Sequence, residues 1–165
     1  MSIPIRYIPK ALSVNDTIKQ RRNILKSRKL YKKGIYYQRP KVGSFHSKPS
    51  GHIANAENLY KTHHILPNNE LARKTKCSQK ALEKIVNKGR GAYYSSGSRP
   101  NQTAESWGLA RLASAITGGP ASVIDYNILH NGCKKNSRAL ILATRTCKLK
   151  NRCKKYTQKN MRPAL

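Results

Sequence analysis

The chain has 165 residues, enough for one compact domain with tails or for two very small domains. Lysine and arginine number 34 against 6 aspartates and glutamates, so the formal net charge is +28 at pH 7. Such an excess of like charge destabilises a compact chain unless something acidic lies against it, so the composition predicts a partner: nucleic acid, an anionic membrane surface or acidic protein.

No apolar run is long enough for a transmembrane helix, and residues 1–10 lack the features of a signal peptide. We therefore expect the chain to fold in the cytosol. Between Asp16 and Glu57 there are eleven basic residues and no acid, and eleven more follow from Lys134 to Arg162. This pattern predicts a basic N-terminal arm (1–50), a central helical domain (51–133) and a basic C-terminal helix and tail (134–165).

Two prolines near the N-terminus predict that residues 1–13 form an extended arm. The first predicted helix covers residues 17–31, with Asn15 or Asp16 as its cap. We expect its sparse apolar contacts to come from Ile18, Leu25 and Leu30. An irregular, extended segment follows as far as residue 50.

Helical spacing, capping residues and glycine stops predict the remaining helices, and the predicted fold class is therefore all-α, a small multi-helix domain with extended basic arms. These helices cover residues 52–61 (capped by Ser50), 67–75, 79–88 (between Ser78 and Gly89), 104–116 (capped by Thr103), 120–130 (before Gly132) and 137–147.

The helices at 67–75 and 79–88 have the spacing of a helix-turn-helix pair. Lys76 stands at the tight-turn position that usually holds glycine, which weakens the match. If the second helix binds nucleic acid, its outward residues would contact phosphates or base edges. The candidate nucleic-acid contacts are Gln79, Lys80, Lys84, Lys88 and Arg90.

Residues 89–102 combine three glycines with serines and a proline, which argues against a long helix. One hypothesis is an anion site formed by backbone amides with Arg90 or Arg99, in which Tyr93 and Tyr94 stack on bases. The alternative, which we favour, is an ordered loop packed under the helix of Trp107, held by hydrogen bonds from its hydroxyls and from Asn101.

Metal binding and catalysis find little support. His130, Cys133, Cys147 and Cys153 would converge only if the last helix folds back, and no Cys-x-x-Cys pair exists, so a disulfide between two of these three cysteines is favoured over a zinc site. The state of Cys77 stays open. The acids are isolated among basic neighbours, and no nucleophile motif appears. We expect no metal, no cofactor, no enzymatic activity and no small-molecule substrate.

The stretch from Ala81 to Gly119, with its core Tyr-Tyr-Ser-Ser-Gly-Ser-Arg-Pro-Asn-Gln-Thr, closely resembles an uncharacterised family of small basic proteins of large nucleocytoplasmic DNA viruses, including viruses of algae and amoebae. The likeness continues from about Ser27 to Cys133. It implies a giant-virus setting and brings no active site. Lys76 departs from the family, which usually has glycine there.

In that setting we expect a minor capsid protein, a cement that ties other capsid proteins together, made in the host cytoplasm and located in the virion. The alternative is a packaged protein that binds and neutralises the genome. The apolar side chains of the N-terminal arm favour a protein partner. The candidate partner-binding residues are Ile3, Ile5, Tyr7, Ile8, Arg21, Arg22, Arg28, Tyr36, Tyr37, Arg39, Arg90, Tyr93, Tyr94 and Arg99.

Overall fold

A computed structural model describes residues 2–152. The predicted all-α class is confirmed, since no strand occurs in this part of the chain and its one β-bridge joins Cys77 to Cys133. A 3-10 turn, Ile5–Tyr7, precedes eight helices. These are α1 (Val14–Tyr31), α2 (Gly51–Tyr60), α3 (Asn69–Thr75), α4 (Gln79–Ser95), α5 (Ala104–Ile116), α6 (Pro120–Ile124), α7 (Tyr126–Gly132) and α8 (Arg138–Leu149).

By contact, the chain forms two compact units that are interleaved in sequence. Unit 1 comprises Met1–Pro49 and Lys88–Gly108, and unit 2 comprises Ser50–Asn87 and Leu109–Leu165. The sequence predicts three consecutive segments instead. The difference arises because residues 88–108, expected in the central domain, associate with the N-terminal residues.

In unit 1, the residues before α1 are held against the rest of the unit. Tyr7 is buried, and its ring meets that of Trp107 edge-on with centroids 5.8 Å apart. The buried Gln20 amide donates to the carbonyl oxygens of Tyr7 and Ser98, each at 3.2 Å. Polar contacts to backbone therefore anchor a segment that the sequence predicts as an extended arm.

Helix α1 begins three residues before its predicted start at Thr17, and its cap is Ser13 rather than Asn15 or Asp16. The Ser13 hydroxyl accepts from the Asp16 amide at 3.2 Å. The Asp16 carboxylate is instead bound by the hydroxyl and the amide of Ser44, at 2.5 and 2.8 Å, and these two hydrogen bonds lower the pKa of Asp16. Ser13 rather than Asp16 caps α1, because the Asp16 carboxylate is bound by Ser44, which is distant in the sequence.

The prediction that a helix ends at Gly89 is wrong, because α4 continues to Ser95. Glycine weakens a helix interior by about 1 kcal/mol, but here packing offsets that cost. Gly89 is buried, and a Cβ on Gly91 would stand at an ordinary contact distance of 3.6 Å from the Tyr31 hydroxyl, so this part of α4 packs against the rest of unit 1. The chain turns at Gly97, whose φ of +122° suits glycine alone.

Other helices agree with the prediction to within one or two residues. Helix α5 covers the predicted 104–116, and α2 and α8 are shifted slightly. Helix α3 is capped by Asn68, whose side-chain oxygen accepts from the Leu71 amide at 2.9 Å, and not opened by Pro67. The core of unit 2 is formed by these helices, with Leu71, Leu82, Ile85, Val86, Leu112, Ile116 and Leu129 among its most buried side chains.

The single helix predicted for residues 120–130 is divided at Asp125, which leaves helical geometry with φ −101° and ψ 18°. The Asp125 carboxylate is fully buried and accepts two hydrogen bonds from the Arg111 guanidinium, at 2.7 and 2.8 Å. Helical geometry is interrupted at the residue whose carboxylate forms this buried ion pair. The local sequence pattern does not reveal this tertiary constraint.

A disulfide joins Cys77 to Cys133, so the predicted pairing among Cys133, Cys147 and Cys153 is wrong for Cys133. The local spacing of the last three cysteines suggested them as partners, but the end of α7 returns to the turn between α3 and α4. Cys147 is also disulfide-bonded. Cys153 lies outside the described residues.

We expect a Cys77→Ser/Cys133→Ser variant to lose roughly 4 kcal/mol of unfolding free energy, because the disulfide closes a loop with a sequence separation of 56 and limits the unfolded chain. Urea unfolding of the oxidised parent and the variant measures this loss. Equal midpoints and slopes for the two proteins would contradict the expectation.

Replacing Arg111 by methionine should lower the free energy of unfolding by about 3 kcal/mol, since the fully buried Asp125 carboxylate loses its guanidinium partner. Arg145→Met, at an exposed position, is the matched control and should change stability by less than about 0.5 kcal/mol. Thermal and urea unfolding of both variants would reveal the difference, and an equal effect would refute the role of the ion pair.

Candidate partner-binding surface

The Arg39 side chain organises the middle of unit 1. Its guanidinium donates to the Ser27 hydroxyl at 3.1 Å, to the Tyr93 carbonyl at 2.6 Å and to the Ser98 hydroxyl at 2.7 Å. It also lies 3.8 Å from the centroid of the Tyr93 ring. Burial lowers the pKa of Arg39. Predicted as a partner-binding residue, Arg39 instead holds its own fold together.

The loop after α4 is occupied by internal contacts. Asn101, with a left-handed φ of 62°, accepts from the Val42 amide at 2.8 Å. Its amide nitrogen donates to the carbonyl oxygens of Val42 and Phe45, at 3.1 and 2.7 Å. The Asn101 side chain thereby holds the backbone of residues 42–45 through three hydrogen bonds. The loop is ordered through these bonds, as the favoured alternative expects, with Asn101 bonding residues distant in sequence.

The two arginines of the predicted anion site differ. Arg90 lies in α4 and donates to the Glu105 carboxylate at 2.8 Å, so an acid of the same unit already holds it. Arg99 is exposed on the loop. The capping of α5 uses Thr103 and Ser106, whose hydroxyls each accept from the other's amide at 3.0 Å. The contacts therefore favour a structural role for the loop.

Most of the aromatic residues predicted to contact a partner are engaged within unit 1. Tyr93 is buried beneath the Arg39 guanidinium, which prevents it from stacking on bases. Lys26 lies over the half-buried Tyr37 ring at 4.5 Å. Tyr94 packs between Tyr31 and Tyr36, with centroids 6.3 and 5.1 Å away. Tyr36, 67% exposed, is the one of the five predicted tyrosines that keeps most of its surface.

Helix α1 is turned with its polar side inward. Three of its four buried residues are Gln20, Asn23 and Ser27, which bind backbone or side-chain groups of unit 1, and the fourth is Ile24. The prediction that Ile18 and Leu25 make its apolar contacts is therefore wrong. The helix packs through hydrogen bonds because it faces loops and the carbonyl oxygens at the end of α4.

The opposite side of α1 carries exposed apolar residues. Val14, Ile18 and Leu25 are 77, 52 and 53% exposed, and steps of four and seven residues place them on one side of the helix. Arg21, Arg22 and Lys29, all exposed, share that side. We call these six residues the α1 face. Val14, Ile18 and Leu25 are not among the residues predicted to bind a partner. Their helical spacing, on the side opposite Gln20, Asn23 and Ser27, is the pattern in the sequence that could have identified them.

The remaining predicted residues divide between surface and interior. Ile5 is largely exposed, whereas Ile3 and Ile8 are partly buried. Arg28 is half-buried, and its guanidinium donates to the Ser96 carbonyl at 2.9 Å within unit 1. Thus the structure brings Arg21 and Arg22 together on the α1 face, and it assigns Tyr7, Arg28, Arg39 and Tyr93 to the architecture of unit 1.

The helix-turn-helix-like pair exists in unit 2, where α3 and α4 are joined by Lys76, a non-glycine residue with a left-handed φ of 55°. Ser78 donates its amide to the Gly132 carbonyl at 2.8 Å, and Lys134 donates to the Lys76 carbonyl at 2.9 Å. A Cβ on Gly132 would clash with Ala81. Residues 132–134 therefore cover one side of the first turn of α4, the turn that such motifs insert into a DNA groove.

On the predicted nucleic-acid face of α4, Lys80, Lys84 and Lys88 are exposed and Gln79 is partly so. Within residues 2–152, no group of three histidine, cysteine or acidic side chains is placed to hold a metal ion. None of the helices described here is long and apolar enough to cross a membrane.

A family model described as a family of unknown function, DUF5824, matches residues 4–128. The match includes all of unit 1 except its first residues, together with most of the described helices of unit 2. No curated protein and no solved structure matches the chain.

Arg39→Lys should destabilise the protein by roughly 2 kcal/mol, because an ammonium cannot reproduce the planar fork that reaches Ser27, Tyr93 and Ser98 at once. Arg99→Lys, at an exposed position in the loop after α4, serves as the matched control and should have little effect. Urea unfolding measures both changes. Amide exchange at residues 93–101 should accelerate in the first variant alone, and parallel behaviour of the two would contradict the central role of Arg39.

Proposed function

This chain belongs to the family of unknown function DUF5824, and we propose that it is a non-enzymatic structural protein of a giant DNA virus particle, in which it ties acidic capsid proteins together. The virus setting is drawn from the likeness of residues 81–119 to small basic proteins of such viruses. The role as a minor capsid component is drawn from the charge and from the surface of unit 1.

The observation that carries the proposal is the inverted orientation of α1. A helix that exposes Val14, Ile18 and Leu25 while burying glutamine, asparagine and serine leaves apolar surface in water. Covering these three side chains would contribute roughly 1 to 2 kcal/mol each. The arginines and the lysine beside them favour an acidic rim on the surface that covers them. An apolar stripe bordered by cations fits an acidic protein better than a phosphate backbone.

The acids of the chain are largely committed to its own fold, which strengthens the case for an external partner. Asp16 is bound by Ser44, Glu70 pairs with Lys74 at 2.9 Å, and Asp125 is bound by Arg111. Glu105 pairs with Arg90. The net charge of +28 already counts all six acids, and an acidic partner would relieve the repulsion that remains.

The alternative function is packaging of the genome as a nucleic-acid-binding protein. It is favoured by the net charge and by the exposed Tyr36, which follows Lys32 and Lys33 and offers a stacking surface beside cations. It ranks second for two reasons. Phosphates do not use the apolar members of the α1 face, and residues 132–134 cover part of the first turn of α4.

Ile18→Ser/Leu25→Ser should weaken binding to the capsid partner at least tenfold, because the variant removes apolar contact and leaves the charge unchanged. The partner is first identified by lysine cross-linking in intact particles, where we expect bridges from Lys19, Lys26 or Lys29 to a shell protein. Binding of the purified pair is then measured by calorimetry.

Ile124→Ser, a half-exposed apolar residue of unit 2, is the matched control and should retain parental affinity. A shift assay with 30-base-pair duplex DNA should give the same affinity for parent and variants. If the protein fractionates with the genome, and the cross-links lead only to genome-bound proteins, the capsid role is rejected in favour of the alternative.

A further inference from the structure

Unit 2 carries a second exposed surface with the same chemistry as the α1 face. Along α8, Arg138, Ile141, Arg145 and Leu149 follow at steps of three and four residues and so share one side of the helix. Ile141 is 48% exposed and Leu149 82% exposed. We call these four residues, with Leu142, the α8 face.

A shallow cavity of about 300 Å³ lies on this face. Its lining is mainly apolar between two guanidinium groups, and neither guanidinium forms an ion pair with any residue that the structure describes. The cavity is lined by Asn136, Arg138, Ile141, Leu142 and Arg145.

The helix that carries this face is firmly held. Ala139, Leu140, Ala143 and Cys147 are buried on the opposite side of α8 and belong to the core of unit 2. The Ser137 hydroxyl caps the helix. A face on such a helix is pre-organised, so a partner would bind it without first ordering it.

We propose that the α8 face is a docking site for an acidic protein segment, one apolar side chain of which enters the cavity while carboxylates pair with Arg138 and Arg145. The apolar lining disfavours a bare phosphate or a nucleic-acid backbone. A second copy of this chain is a poor occupant, because it has only six acids and four of them are engaged at Ser44, Lys74, Arg90 and Arg111. The occupant is therefore a different, acidic protein.

This inference rests on the proposed function and deepens it. A cement must hold at least two neighbours, and the α1 face in unit 1 and the α8 face in unit 2 provide two sites of like chemistry. Each chain is thereby bivalent and bridges two acidic surfaces. Two linked weak sites also hold a lattice more tightly than either site does alone.

The test uses the full chain and a defined probe, a synthetic amphipathic helix of about 20 residues with leucines on one side and glutamates on the other. At physiological salt, calorimetry should give two bound peptides per parent chain. Arg138→Glu/Arg145→Glu should bind one peptide, and so should Ile18→Ser/Leu25→Ser. The combined variant should lose binding at least tenfold at both sites.

Two controls separate the face from general charge. Lys134→Glu/Lys135→Glu makes the same change of net charge at exposed residues outside the α8 face and should still bind two peptides. Ile141→Ser keeps every charge and should weaken peptide binding at the α8 face. A peptide whose leucines are replaced by serines should not bind to either face, and circular dichroism confirms that each variant is folded.

The outcomes are distinguishable. If Arg138→Glu/Arg145→Glu still binds two peptides, or if the Lys134/Lys135 variant loses as much binding, the α8 site is rejected while the α1 face stands. If the α1 variant keeps two peptides and the α8 variant loses one, the proposed function loses its main support while the α8 site stands. Equal binding of the serine peptide would reject both faces as apolar docking sites.

Discussion

The Arg39 guanidinium is the interaction on which unit 1 depends. It joins three parts of the chain that are far apart in sequence, because it binds a hydroxyl of α1, a carbonyl at the end of α4 and a hydroxyl of the following loop. Its cation also lies on the Tyr93 ring. One planar group with several donors can satisfy partners in different directions, so a unit with few buried apolar side chains acquires a fixed geometry through hydrogen bonds.

The orientation of α1 follows from this mode of packing. Since its neighbours present carbonyl oxygens and hydroxyls, the helix turns Gln20, Asn23 and Ser27 toward them. The side that would fill a core in an ordinary amphipathic helix is left outside. The same hydrogen-bonded interior that stabilises unit 1 therefore creates the apolar surface that we assign to a partner. The stability of unit 1 and the surface on which the proposed function rests therefore both follow from its hydrogen-bonded interior.

Local signals in the sequence were sufficient for much of the helical structure. The all-α class and the limits of α5 follow from periodicity and from Thr103 as a cap. The features that these local signals do not predict depend on contacts with residues distant in the sequence. Gly89 does not end α4, because tertiary packing tolerates glycine inside the helix, and Asp125 interrupts a helical pattern because it binds Arg111. Of the residues predicted to bind a partner, Arg21 and Arg22 lie on the exposed α1 face, whereas the internal contacts of Arg39 and Tyr93 depend on which helices meet.

Charge alone does not distinguish a capsid partner from a genome, because either would neutralise the basic surface. The exposed apolar residues are the observation that favours the proposed protein partner. Burial of an exposed apolar side chain is favourable when another apolar surface covers it. The side chains concerned are Val14, Ile18 and Leu25 in unit 1, and Ile141 and Leu149 in unit 2. Cations beside each group restrict that surface to an acidic one. These two features occur together in both units, and this repetition is what favours the proposed role of joining other proteins.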